Sequence, residues 1–150
     1  MGGAGRVSGM AEAPRPITGR CLCGGMSYSI DAEPLWQGVC YCSNCQRQTA
    51  TAFSIIVGVP STALTMKGET LASFKTASEG YESTTERHFC SACGSPLYST
   101  IESMPGLAFL KAGTMDDTSW FEPAAEIWTS SAQPWAPHFE GIASYERIPD

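Results

Sequence analysis

Apolar residues in this chain come in short blocks, and the blocks read as strands. Met26, Tyr28 and Ile30 alternate with Ser27 and Ser29, the period-two pattern of a strand buried on one face. Residues 52–59 (AFSIIVGV) form a largely apolar run stopped by Pro60, which predicts a buried strand. Further strands are predicted at 71–76, 83–89, 97–102 and 107–112, then at 125–129 and 142–147, with Gly- and Pro-bearing turns between them. One or two helical turns are predicted from Ser43 through Gln48. No internal repeat, heptad run or low-complexity block interrupts the series. Regular short strands predict a mainly β fold, and 150 residues suit one domain able to bury a core.

Composition keeps that picture and narrows the partners. A chain 43% hydrophobic and 16% charged folds instead of remaining disordered. Its formal charge of −6 makes it a poor match for nucleic acid or an anionic membrane, and no stretch is long and apolar enough to span a bilayer. Residues 1–16 are rich in Gly, Ala and Pro and are read as a flexible tail, leaving residues 17–150 as the domain. The tail has no apolar core of a secretory signal, and Arg6 stands where a myristoylation motif wants Ser or Thr. A cytoplasmic location is therefore expected.

The candidate chemistry lies in the cysteines. All seven fall in three clusters: Cys21 and Cys23, then Cys40, Cys42 and Cys45, then Cys90 and Cys93. An odd count argues against a disulfide framework, and short chelating spacings argue for metal. The middle cluster can give three thiolates to one ion, and the outer pairs together complete a tetrahedron. Chelation thus assigns Cys21, Cys23, Cys90 and Cys93 to a closed site and Cys40, Cys42 and Cys45 to an open one, although exchanged partners also satisfy the spacing. Gly24 and Gly94 each follow a cysteine and allow a knuckle with positive φ. Soft thiolates in small sets favour zinc, two ions per chain, while an iron–sulfur cluster would want four cysteines in a differently spaced run.

The motifs around these cysteines resemble one family. Residues 19–24 (GRCLCG) with Tyr28, residues 40–45 (CYCSNC) and residues 89–98 (FCSACGSPLY) are similar to the glutathione-dependent formaldehyde-activating enzymes, which include centromere protein V. Residues 113–117 (GTMDD), Pro123, Ile127-Trp128 and Trp135 extend the likeness. The resemblance implies coiled β-sheets, a structural zinc on four cysteines and a catalytic zinc on Cys40, Cys42 and Cys45. It also implies addition of glutathione to formaldehyde, or the reverse carbon–sulfur lyase reaction. The expected partner is a small molecule, glutathione or another thiol, and Arg47 is expected to hold its anionic part.

Three positions depart from the family pattern. Gln46 and Ala50 replace a common Arg and Gly, and Glu126 replaces a common His before Ile127-Trp128. These departures favour a second reading, the same zinc scaffold acting on another small carbonyl or secondary-metabolite substrate. A third reading is a non-catalytic zinc-binding module. His88 is read as a strand residue, His138 as structural or exposed, the four tryptophans as core, with Trp128 and Trp135 also candidates for a pocket wall, and Asp116-Asp117 as a turn.

Overall fold

Alternation at residues 26–30 places Met26, Tyr28 and Ile30 on the inner face of a strand in a computed structural model of the chain, which describes residues 12–149. That strand, β2 (Met26–Ile30), lies between β1 (Ile17–Arg20) and β5 (Leu64–Gly68) in a three-stranded antiparallel sheet. The other eight strands are β3 (Trp36–Cys40), β4 (Ser54–Pro60), β6 (Leu71–Ala77), β7 (Thr84–Cys90), β8 (Pro96–Ile101), β9 (Leu107–Lys111), β10 (Ala125–Ile127) and β11 (Ala143–Ser144). They form one sheet in the order β11-β10-β3-β4-β9-β8-β7-β6. Its pairs are antiparallel except those of β10, which runs parallel to both β3 and β11. The expected mainly β, single-domain architecture with cysteine knuckles at strand ends is what the chain adopts.

The two sheets enclose the main core. Ile17, Met26 and Ile30 from the small sheet meet Val57, Val59 and Leu110 from the large one, all essentially removed from water. Burial of such side chains contributes on the order of 2 kcal/mol each. Between His88 and Phe89 the register with β8 slips, so that Leu97 is the extra residue, and it packs into this core. The opposite face of the large sheet lines a cavity, described below.

Three strands fall outside the predicted set, each for a local reason. In β1 the inward positions are Ile17 and Gly19, and a Cβ at Gly19 would sit 2.3 Å from the Tyr28 ring. The β3 run carries Gln37 and Gly38, and the β5 alternation covers only Leu64 to Lys67 before a glycine. The predicted strand at 125–129 stops at Ile127 because Trp128 takes a left-handed conformation, φ 57°. Of the predicted 142–147 strand only β11 pairs regularly. The chain beyond it is held by Trp128 N–H to Arg147 O and Thr129 N–H to Tyr145 O, at 3.0 and 3.1 Å. Residues 1–11 of the expected tail lie outside the described residues. Ala13 already packs against the core, and Arg15 Nε meets Asp31 Oδ1 at 3.0 Å.

The one predicted helix forms as α1 (Ser43–Thr49), with the Cys42 sulfur at its N-cap accepting from Cys45 N–H at 3.3 Å. It ends on Ala50 in the left-handed region, φ 56°, the position where glycine carries no Cβ penalty. Ala50→Gly is therefore expected to stabilise the fold by up to about 1 kcal/mol. The check is a higher urea midpoint with an unchanged slope.

Candidate metal centres and cavity

The turn between β1 and β2 carries Cys21 and Cys23, β7 ends on Cys90, and the turn after it carries Cys93. All four sulfurs lie within 4.8 Å of one another. Cys21 and Cys23 are 3.6 Å apart and Cys23 and Cys90 3.8 Å. Zinc–sulfur bonds of about 2.3 Å give tetrahedral edges of about 3.8 Å, so the spacing fits that ion. Both knuckle glycines have positive φ, 77° at Gly24 and 79° at Gly94. The sulfurs also have donors suited to thiolates: Met26 N–H to Cys21 at 3.2 Å, Gly25 N–H to Cys23 at 3.4 Å, and the hydroxyls of Thr70 and Ser95 against Cys90 and Cys93. The Ser95 hydroxyl holds Cys93 down at about 5. For Cys23 the Gly25 N–H favours the thiolate, yet sharing with Cys21 and Cys93 pushes it up to about 11. Four crowded thiols thus cannot all ionise alone, and a divalent cation would remove the conflict.

The second cluster is built from six consecutive residues. β3 delivers Cys40, Cys42 caps α1, and Cys45 lies in its first turn; all three are buried and mutually within 4.8 Å. Hydrogen bonds from Cys40 and Cys42 hold the Cys45 thiol well below its usual range, against the effect of burial, and the charges of Lys111 and Arg87 add to this. Cys40 is pushed up by the same sharing and by burial. Each of the two clusters is therefore able to hold a metal ion, and none of the seven cysteines is in a disulfide.

Only one of the clusters opens onto the cavity. Its volume is about 520 Å³, and Cys40, Cys42 and Cys45 line it, whereas the four-sulfur cluster does not. Beside them on the floor lie four buried polar side chains, Thr85, Arg87, Ser99 and Lys111. Lys111 Nζ donates to Ser54 Oγ at 2.8 Å, and Arg87 donates to Thr76 Oγ1. Burial lowers the Lys111 pKa, partly offset by the neighbouring cysteines. The walls are apolar: Trp36, Ile56, Ile101, Leu107, Phe109 and Trp128. At the rim, Glu79 accepts from Ser43 N–H at 2.7 Å and Ser43 Oγ at 3.0 Å, which fastens the loop after β6 to the start of α1. Arg147 lies over Trp128, 5.2 Å from its ring centroid.

Several predicted residues lie elsewhere. Arg47 is exposed and borders a separate hollow with Gln46, Ala50 and Trp135, so the structure does not bring it to the three cysteines. Trp135 is 71% exposed, which corrects its reading as core: it stands between prolyl and alanyl turn residues on the outside of α1. None of the three departures from the family pattern lines the cavity. Gln46 Nε2 donates to the carbonyls of Tyr41 and Ser131, at 2.5 and 3.0 Å. Glu126 faces away and accepts from Tyr41 Oη, Ser144 Oγ and Phe139 N–H, and pairs with His138. His88 stacks on Tyr98 with ring centroids 4.2 Å apart, outside the cavity lining. Asp117 makes the expected turn, accepting from Ser119 N–H at 2.9 Å. The residues that sequence reasoning missed are Arg87 and Lys111. Their signal was faint: each holds an inward phase of an otherwise apolar or small-residue strand face.

A family sequence model described as glutathione-dependent formaldehyde-activating enzyme matches residues 16–131, and the chain belongs to that family. Among individual relatives, a Penicillium rubens protein named "Putative glutathione-dependent formaldehyde-activating enzyme" is 28% identical over 117 residues, covering 75% of this chain and 60% of its own. A Podospora anserina protein of the same name is 29% identical over 117 residues, covering 75% and 54%. The chain thus spans a little over half the length of the curated relatives it matches. The crystal structure of a Rhodobacter sphaeroides protein shares the fold, with a TM-score of 0.54 at 17% identity over 85% of this chain and 98% of that one.

Proposed function

We propose that the chain is a zinc-dependent enzyme that adds a small thiol of the glutathione type to an aldehyde, or cleaves the product, a carbon–sulfur lyase reaction. The observation that carries this reading is the three-sulfur cluster on the floor of the cavity, with the four-sulfur cluster placed away from it. In this reading Cys21, Cys23, Cys90 and Cys93 hold a structural zinc, and Cys40, Cys42 and Cys45 hold the catalytic one. A zinc ion on three thiolates would supply positive charge that favours an incoming thiol as its thiolate near neutral pH.

The chain's own residues account for the rest of the chemistry. As the thiolate sulfur forms a bond to the carbonyl carbon, the C=O π pair moves to oxygen, and that oxyanion needs donors on the floor. Arg87 and Lys111 offer them in a water-poor setting, where such donors act most strongly. The oxyanion then takes up one proton, balancing the one lost by the thiol. The reverse sequence breaks the carbon–sulfur bond. Reduced, metal-bound thiols fit the cytoplasm.

Elemental analysis of the purified reduced protein should give two zinc ions per chain. With graded chelator, the ion on the cavity side should leave first while the far-UV spectrum is kept. One metal per chain in well-behaved protein would sink the two-site reading. Absence of turnover with every aldehyde and thiol tried, in protein holding both ions, would sink the enzymatic one.

A further inference from the structure

The cavity is polar at one end and apolar along its length, and that division points to the shape of the substrate. Its floor carries two buried cations whose hydrogen-bond partners, Ser54 and Thr76, are neutral. Buried charge requires countercharge. Neither cation is paired with a carboxylate among the described residues, so both are able to hold an oxygen that gains negative charge. Of the nearby carboxylates among the described residues, Glu79 is half-buried at the rim and already held by Ser43, and Glu126 turns to the opposite face of β10. Among the described residues lining the cavity, Arg87 and Lys111 are the only Lys or Arg side chains, and the walls hold none.

A one-carbon aldehyde would leave those walls unused, and the two carboxylates of glutathione would meet no cation among the residues lining them, Arg147 being stacked on Trp128 outside the lining. Resting on the proposed carbon–sulfur reaction, we infer that the cavity takes a carbonyl compound with a bulky apolar body. Its carbonyl oxygen is directed to Arg87 and Lys111 on the floor, and its chain or ring lies against Trp36, Phe109 and Trp128. A volume of about 520 Å³ is in the range of sites for ligands of many heavy atoms. The thiol co-reactant is a low-molecular-weight thiol. Its sulfur gains the bond to carbon, the carbonyl π pair becomes an oxygen lone pair, and the thiol proton ends on that oxygen to give a hemithioacetal.

The test uses the zinc-loaded full chain and a ladder of formaldehyde, butanal, hexanal and octanal, with benzaldehyde as a ring-bearing probe. Binding is read from quenching of tryptophan fluorescence, and hemithioacetal formation with glutathione or 2-mercaptoethanol is followed by NMR exchange rates. Affinity should tighten about three- to fourfold per added methylene from butanal onward. Phe109→Ala should flatten that slope. Lys111→Met should keep the slope while lowering the catalysed rate at least about tenfold. Affinity independent of chain length, or formaldehyde bound as tightly as octanal, overturns the inference even if the adduct forms. A steep ladder without any catalysed adduct leaves the apolar substrate class standing and removes the carbon–sulfur reaction instead.

Discussion

Cys90→Ser is expected to leave most of the protein unfolded or insoluble, while Cys45→Ser keeps a native far-UV spectrum and loses one metal ion. The difference follows from what each sulfur joins. Cys90 sits at the end of β7, its partners Cys21 and Cys23 follow β1, and 67 residues separate Cys23 from Cys90. A zinc across that gap would tie the small sheet to the large one, and structural zinc contributes on the order of 10 kcal/mol in small zinc peptides. A domain of this size is stable by about 5–15 kcal/mol in all, so loss of even half that contribution is decisive. Cys45 shares its cluster with residues of the same β3–α1 corner, which the sheet already holds in place. The measurement is solubility, circular dichroism and metal content of the two variants side by side. If Cys90→Ser folds normally and Cys45→Ser does not, the structural and catalytic roles are exchanged.

The second large effect is expected at Glu126, far from the chemistry. Its carboxylate is buried, 4% exposed, and collects Tyr41, Ser144, His138 and the Phe139 N–H, so that it pins residues 138–144 to the outer side of β10. Glu126→Ala removes the acceptor of Ser144 Oγ and the Phe139 N–H, while Tyr41 Oη keeps the Pro137 carbonyl, and should cost about 3 kcal/mol. Burial alone would raise its pKa, but the hydrogen bonds from Ser144 and Phe139 and the His138 pair outweigh it and hold it below the usual value of 4.5. The sign then follows. A depressed carboxyl stabilises the fold above pH about 4.5, and the contribution is lost as pH falls through the lower folded-state value. Urea midpoints from pH 7 to pH 3.5 should show this acid-side loss in wild type, and Glu126→Gln should reduce its slope. Since residues 145–149 supply part of the cavity rim, Glu126→Ala should also weaken binding of any ligand that reaches Tyr145 or Ile148.

Much of this architecture could be read from residue order, and the limits have physical causes. The cysteine spacings were informative because chelation is local: C-x-C and C-x-x-C leave few ways to share ions. The β2 alternation was legible because one of its faces meets water and the other the core. The sequence was silent where small residues replace apolar ones on an inward face, as with Gly19 and Gly38, since a pattern of side-chain polarity cannot register a missing side chain. It was misleading where a polar residue buries. Arg87 within TTERHFC and Lys111 after LAFL look like solvated positions until the large sheet curves round a cavity and turns both inward. Gln46 and Glu126 err in the other direction. Their polarity suggested a remodelled substrate site, whereas both are spent on backbone and side-chain fastening away from it.

The unequal spans of the two sulfur clusters also bear on how the chain acquires its metals during synthesis. The three-sulfur set is complete once residue 45 has left the ribosome, but the four-sulfur set waits for residue 93. At roughly 5–20 residues per second, the interval is on the order of several seconds. In that window a growing chain can chelate whichever soft cation it meets, and copper outranks zinc for such ligands in intrinsic affinity. A metal first taken up by the three-sulfur set would follow the pool around the translating ribosome, and because that site opens onto the cavity it would stay exchangeable afterwards, whereas the four-sulfur site would keep what it first closed on.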